Sequence, residues 1–118
     1  MRDHTKLKAF ELADEVVLLV YGLTARFPKE ELYGLTSQIR RAAISVPSNI
    51  VEGCARDSQA DYLRFLHMAF GSLRELHYQL SLAKRLDFLS NENLLIIEPK
   101  VTETEKVLNG LIQALKKG

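Results

Sequence analysis

The stretch Leu32-Tyr33-Gly34-Leu35-Thr36-Ser37-Gln38-Ile39-Arg40-Arg41-Ala42-Ala43-Ile44-Ser45-Val46-Pro47-Ser48-Asn49-Ile50 decides the fold. Its apolar residues Leu32, Leu35, Ile39, Ala42, Ala43, Val46 and Ile50 recur three and four apart. That is the period of a helix with one buried face. The spacing predicts a helix from Glu31 to Ala55. Pro47 falls inside it, removing an N–H and crowding the carbonyl of Ala43, so a kink is expected there. The Asn49 amide is placed to satisfy the carbonyl so freed.

The same period extends in both directions. Ala9, Phe10, Ala13, Val16, Val17, Val20 and Leu23 predict a first helix over Lys6 to Arg26, ended by Phe27-Pro28. Ser58, an N-cap with Asp61 three residues on, opens a third helix that reaches Leu86 through Leu63, Leu66, Phe70, Leu73, Leu76, Leu80 and Ala83. Ser90 caps a fourth, from Asn91 to Lys117, through Leu94, Ile97, Val101, Leu108, Leu111, Ile112 and Leu115. Pro99 leaves open that this helix starts there instead. Short connections favour antiparallel neighbours. The expected fold is therefore all-α, an up-down-up-down four-helix bundle spanning residues 1–118 as one domain. Three helices with a loose fourth segment are the alternative.

The chain of 118 residues has 16 Lys plus Arg and 15 Asp plus Glu, a formal net charge of +1. So even a balance makes no demand for nucleic acid, membrane or acidic substrate. One cysteine, Cys54, excludes an internal disulfide. The start is charged, and the most apolar run, Val16 to Leu23, is far shorter than the roughly 20 residues of a membrane span. A cytoplasmic location and no membrane partner are expected.

Catalytic patterns are missing. No glutamate has a histidine three residues on, as di-iron bundles require. His67 and His77 lie too far apart on one helix, about 15 Å, to share a metal. Cys54 has no zinc-spaced partner, and neither a phosphate-binding glycine loop nor a nucleophile elbow occurs. The expectation is a protein that is not an enzyme, with no catalytic residue, metal or cofactor.

Two groups of residues depart from a simple bundle. At 100° per residue, Leu18, Leu19, Ile44, Val51, Phe65 and Met68 fall off the core stripes. They are the candidate surface for self-association. Arg41, Ser45, Ser48, Asn49 and Glu52 follow one side of the second helix, and Gly71, Ser72, Glu75 and Gln79 one side of the third. These are either a solvated face or a polar seam between helices or protomers. Gly71 would then allow close approach, Arg40 or Arg41 would pair with Glu75, and Glu52 would pair with Arg56 four residues on.

Topology adds a candidate binding surface. In an up-down-up-down bundle the N-terminus, the second turn and the C-terminus share one end. That end gathers Arg2, Lys6, Lys8, Arg56, Lys116 and Lys117, offset in part by Asp3, Asp57 and Asp61. The other end mixes Arg26, Lys29, Lys84 and Arg85 with Glu30, Glu31, Asp87 and Glu92. The basic end suits phosphates without reading sequence.

Several of these residues form a pattern. Phe27-Pro28, the run from Glu31 to Ala43, Ser45-Val46-Pro47-Ser48-Asn49-Ile50, Glu52-Gly53, Arg56, and then Phe65-Leu66, Ala69, Gly71-Ser72-Leu73 and Glu75-Leu76 resemble the four-helix-bundle family of 23S rRNA intervening-sequence proteins. Phe10 stands where a tryptophan is common. The resemblance implies a homopentamer and no established enzymatic activity. A more distant similarity, to the accessory protein of diversity-generating retroelements, implies work beside a nucleic-acid enzyme such as a reverse transcriptase. The expected partners are other copies of the chain, RNA or DNA, and such an enzyme. A scaffold that binds no nucleic acid is the alternative.

Overall fold

Four helices follow one another: α1 (Lys8–Thr24), α2 (Leu35–Cys54), α3 (Gln59–Arg85) and α4 (Asn91–Lys117). The computed structural model describes residues 2–118. Each helix packs on its two neighbours in cyclic order, α1 on α2, α2 on α3, α3 on α4 and α4 back on α1, and the backbones of diagonal helices stay apart. With short turns this is the expected up-down-up-down bundle. Its extents of 45 × 24 × 20 Å match helices of 27 residues standing side by side, each about 40 Å long. Val16 and Val20 meet Ile39, Val46 and Ile50, Leu66, Leu73, Leu76 and Leu80, and Ile97, Val101, Leu108 and Ile112 in one continuous core.

The helix starts have identifiable causes. Ser58 Oγ accepts from the Asp61 amide at 3.1 Å, and Ser90 Oγ from the Asn93 amide at 3.1 Å. Each satisfies an amide that the first helical turn leaves unpaired. The expected start of α2 at Glu31 is corrected to Leu35. Lys29–Glu31 forms a 3-10 turn, and Glu31 Oε1 reaches forward to accept from the Leu35 amide at 3.0 Å. Glu31 caps the helix rather than beginning it. The first helix likewise starts later than Lys6, because His4–Lys6 is a separate 3-10 turn capped by Asp3.

Pro47 and Pro99 both lie within continuous helices. Pro99 therefore does not mark the start of α4. It lies on the exposed side with Leu95, where water can hydrate the carbonyl its ring frees. Asn49 does not serve the Ala43 carbonyl: its Nδ2 donates to Ser45 O at 2.8 Å and to Ser45 Oγ at 3.0 Å. The third helix ends through Asp87 at φ 63°, with the Phe88 amide donating to Ala83 O at 2.9 Å. This is a left-handed cap of the kind glycine usually makes.

Candidate nucleic-acid and self-association surfaces

The chain start is fastened to the turn after α2. The Arg2 amide donates to Cys54 O at 3.2 Å, Arg2 Nη1 donates to Arg56 O at 2.9 Å, and the guanidinium lies 4.1 Å from the centre of the Tyr62 ring. Gln59 Nε2 donates to Leu115 O at 2.9 Å, bringing the end of α4 to the start of α3. The N-terminal segment, the α2–α3 turn and the last turn of α4 thus share one end. Lys6, Lys8, Lys116 and Lys117 are all exposed. Arg56 places its guanidinium 4.6 Å from the centre of the Phe65 ring, and it makes no ion pair with Glu52. Two of the offsetting acids are locally engaged: Asp3 accepts from the Thr5 amide and hydroxyl, which lowers its pKa, and Asp61 pairs with Arg64 at 3.0 Å.

Beneath this end, Cys54 and Tyr62 are buried. Burial raises the Cys54 thiol above its ordinary value. Burial, with the neighbouring thiol, pushes the Tyr62 hydroxyl up to about 12. A thiol so placed stays protonated and inert.

Of the residues predicted to lie off the core, Leu18 is 69% exposed, Ile44 40%, Val51 36% and Met68 45%. Leu19 is half-buried against the core. Phe65 is a correction: it is only 6% exposed. A Cβ on Gly53 would stand 2.9 Å from Phe65 Cβ and 3.2 Å from Tyr62 Cδ1, so α2 comes close enough there to cover it. Arg56 and Arg64 close over the ring from outside, each at 4.6 Å. Gly53, not Gly71, is the glycine of close approach; beyond Gly71 lies open space.

Between α2 and α3, Ser45 Oγ and Ser72 Oγ share a hydrogen bond of 2.8 Å. The expected pairing of Arg40 or Arg41 with Glu75 does not form within the chain. Arg40 faces α1: its Nε donates to Thr24 Oγ1 at 2.9 Å, with its guanidinium 4.6 Å from the centre of the Tyr21 ring. Arg41, about 100° further round α2, is exposed. Glu75 accepts instead from Gln79 Nε2 at 3.3 Å.

One cluster escaped the sequence reading. Glu105 on α4 is buried, and its Oε2 sits 3.1 Å from Arg74 Nη1 and 3.0 Å from His77 Nδ1. Glu98 lies 3.6 Å from His77 Nε2. His67 is exposed and takes no part. Beside this cluster, Lys100 pairs with Glu15 of α1 at 2.9 Å. Among the described residues no group of three His, Cys, Asp or Glu side chains is arranged to hold a metal, and no helix is long and apolar enough to cross a membrane.

Comparison with known proteins places this arrangement. The family model described as 23S rRNA-intervening sequence protein matches residues 5–110. The chain is also similar to a protein with unknown function from the S23 ribosomal protein family of Bacteroides thetaiotaomicron VPI-5482, solved by crystallography. That likeness has 28% identity and a TM-score of 0.73, and covers 89% of this chain and 94% of the other. Among curated proteins there is no match.

Proposed function

The chain belongs to the family of 23S rRNA-intervening sequence proteins, and we propose that it acts as a non-enzymatic homo-oligomer, a ring of five bundles whose basic end holds RNA or DNA by its phosphates. The observation that carries this reading is the meeting of three chain segments at one end, which puts Lys6, Lys8, Lys116 and Lys117 on one exposed surface. Asp61 is paired with Arg64 and so opposes the lysines less, whereas Asp3 keeps its charge and Glu11 sits 3.7 Å from Lys8, which leaves Lys6, Lys116 and Lys117 as the lysines of the patch without an ion pair among the described residues. A ring repeats the patch around its rim, and phosphate affinity grows with each counterion released. Leu18, Ile44, Val51 and Met68 support the ring. They face outward from α1, α2 and α3, so lateral contacts through them leave the bundle ends open. A nucleic-acid enzyme is the partner such a ring would serve.

A scaffold without nucleic acid is the second reading. Arg2 and Arg56 favour it, because both guanidiniums are already committed to Tyr62 and Phe65. Titration of labelled RNA and DNA at low and moderate salt separates the two. Binding that weakens steeply with salt, and that disappears when Lys6, Lys8, Lys116 and Lys117 are all changed to Glu, supports the first reading. No binding even at low salt replaces it with the second. Light scattering on the same samples should give several times the 13.4 kDa chain mass. Leu18→Asp with Met68→Asp should reduce that mass, and a wild type that runs as a monomer at micromolar concentration removes the ring.

A further inference from the structure

We propose that the groove between the end of α1 and the start of α2 is a second site, one that takes an unpaired nucleotide of single-stranded nucleic acid. It rests on the nucleic-acid reading above but uses different chemistry and a surface away from the lysines, which shares only Ile44 with the proposed contacts of the ring. It lies at the end of the bundle opposite the lysine patch.

Two adjoining clefts, of about 330 and about 300 Å³, share Leu32, Thr36 and Arg40 as a common wall. Phe27 and Lys29 are among the other walls of the first, and Tyr21, Tyr33, Ser37, Arg41 and Ile44 complete the second. No acidic residue lines either one. Their size is at the lower edge of small-molecule sites, enough for one nucleotide unit and too small for a duplex.

Each part of a nucleotide has a counterpart here. Tyr33 is 94% exposed, an aromatic face turned to solvent. Bases of any identity stack on such a face, provided they are not already stacked in a duplex. Arg40 is fixed by its Nε bond to Thr24 Oγ1 and by the Tyr21 ring, and its two terminal nitrogens have no hydrogen-bond partner among the described residues. Arg41 is exposed and makes no ion pair among the described residues. Both residues line the second cleft, and planar guanidiniums suit phosphate oxygens. Thr36 forms part of the wall of both clefts; its hydroxyl, unpaired and buried out of reach of a ligand, contributes shape and no hydrogen bond to the site. The lysine patch attracts any phosphate backbone, and the groove would add a preference for single strands.

The test is a fluorescence-anisotropy titration of the full chain with a labelled single-stranded oligonucleotide and with the duplex of the same sequence. Tyr33→Ala should weaken single-strand binding by about five- to a hundredfold and leave duplex binding unchanged. Tyr33→Phe should restore it, and Arg41→Gln should weaken it. Photocrosslinking of a thiouridine-containing strand to wild type should map to Tyr33 or Tyr21, independent of any variant. If Tyr33→Ala binds single strands as wild type does and the crosslink maps elsewhere, the groove proposal falls while the lysine-patch reading stands. If the four-lysine reversal leaves single-strand binding intact but Tyr33→Ala removes it, the reverse holds. If Tyr33→Ala changes only the mass of the assembly, the groove is a contact between copies and the proposal is overturned. Wild type that binds no nucleic acid overturns both readings.

Discussion

Helix α3 has two flanks built on different principles. Toward α2 it packs through small and neutral groups: Gly53 against Phe65 and Tyr62, and the Ser45–Ser72 hydroxyl pair. Toward α4 it is linked through charge, with Glu105 held between Arg74 and His77. The first flank depends on shape and tolerates no added atom. The second depends on long side chains that reach across a wider gap and adjust. A bundle can thus be rigid on one side of a helix and compliant on the other.

The sharpest way to break the neutral flank is Gly53→Val. Its branched side chain would enter space that a Cβ alone already overfills, at 2.9 Å from Phe65 Cβ. A loss of about 3 kcal/mol is expected, at the upper end of overpacking costs. Denaturant melts check this, and a loss below a few tenths would mean that the helices part easily. Tyr62 probes the same flank by pH. Its folded pKa of about 12 is above the ordinary value of 10, so the stability it contributes is whole below pH 10 and is lost as pH rises toward 12. The loss is about 2 to 3 kcal/mol at 1.36 kcal/mol per pKa unit, and Tyr62→Phe should flatten that part of the pH–stability curve.

Effects on the charged flank should be smaller. Glu105→Gln leaves Arg74 without its partner, but Arg74 is 61% exposed and water replaces much of the lost attraction. About 1 kcal/mol is expected, measured by thermal melting at neutral pH, and a value matching Gly53→Val would erase the contrast between the flanks. Smallest is Asp87→Gly in the turn that joins α3 to α4. Glycine adopts the φ of 63° at less cost, so stability should rise by about 0.5 to 1 kcal/mol. Unchanged stability would show that the aspartate makes compensating interactions in that turn.

The helices were legible because periodicity and caps are local. Ser58 and Ser90 announce α3 and α4 in the sequence, and both cap as expected. Glu31 misled because a carboxylate reaching forward four residues looks, in sequence, like a helical position. Phe65 misled for a different reason. A helical wheel assigns each helix a buried arc of fixed width, and the close approach at Gly53 widens that arc on α3 alone. Glu105 left a readable sign: Val101, Glu105, Leu108 and Ile112 are spaced four, three and four, so the glutamate stands on the core stripe. Its partners Arg74 and His77 are more than two dozen residues away, and only packing selects them. The lysine patch followed from topology, but the engagement of Arg2 and Arg56 with aromatic rings did not. The groove at Thr36 left no sign, because its walls come from α1, the connecting turn and α2.

Gly71 lies midway along α3, on its solvent side, between the part of the helix fixed to α2 at Phe65 and the part tied to α4 at Arg74 and His77. No neighbouring atom approaches it, so packing does nothing to offset the roughly 1 kcal/mol by which glycine weakens a helix interior relative to alanine. Transient opening of α3 is therefore easiest at its centre as well as at its frayed ends. Amide protons of the turn around Gly71 should exchange with deuterium sooner than those around Leu66 or Leu80. A pillar slack on its outer side at mid-height, yet tied there to its neighbour through the Ser45–Ser72 pair, can flex at that level without coming apart.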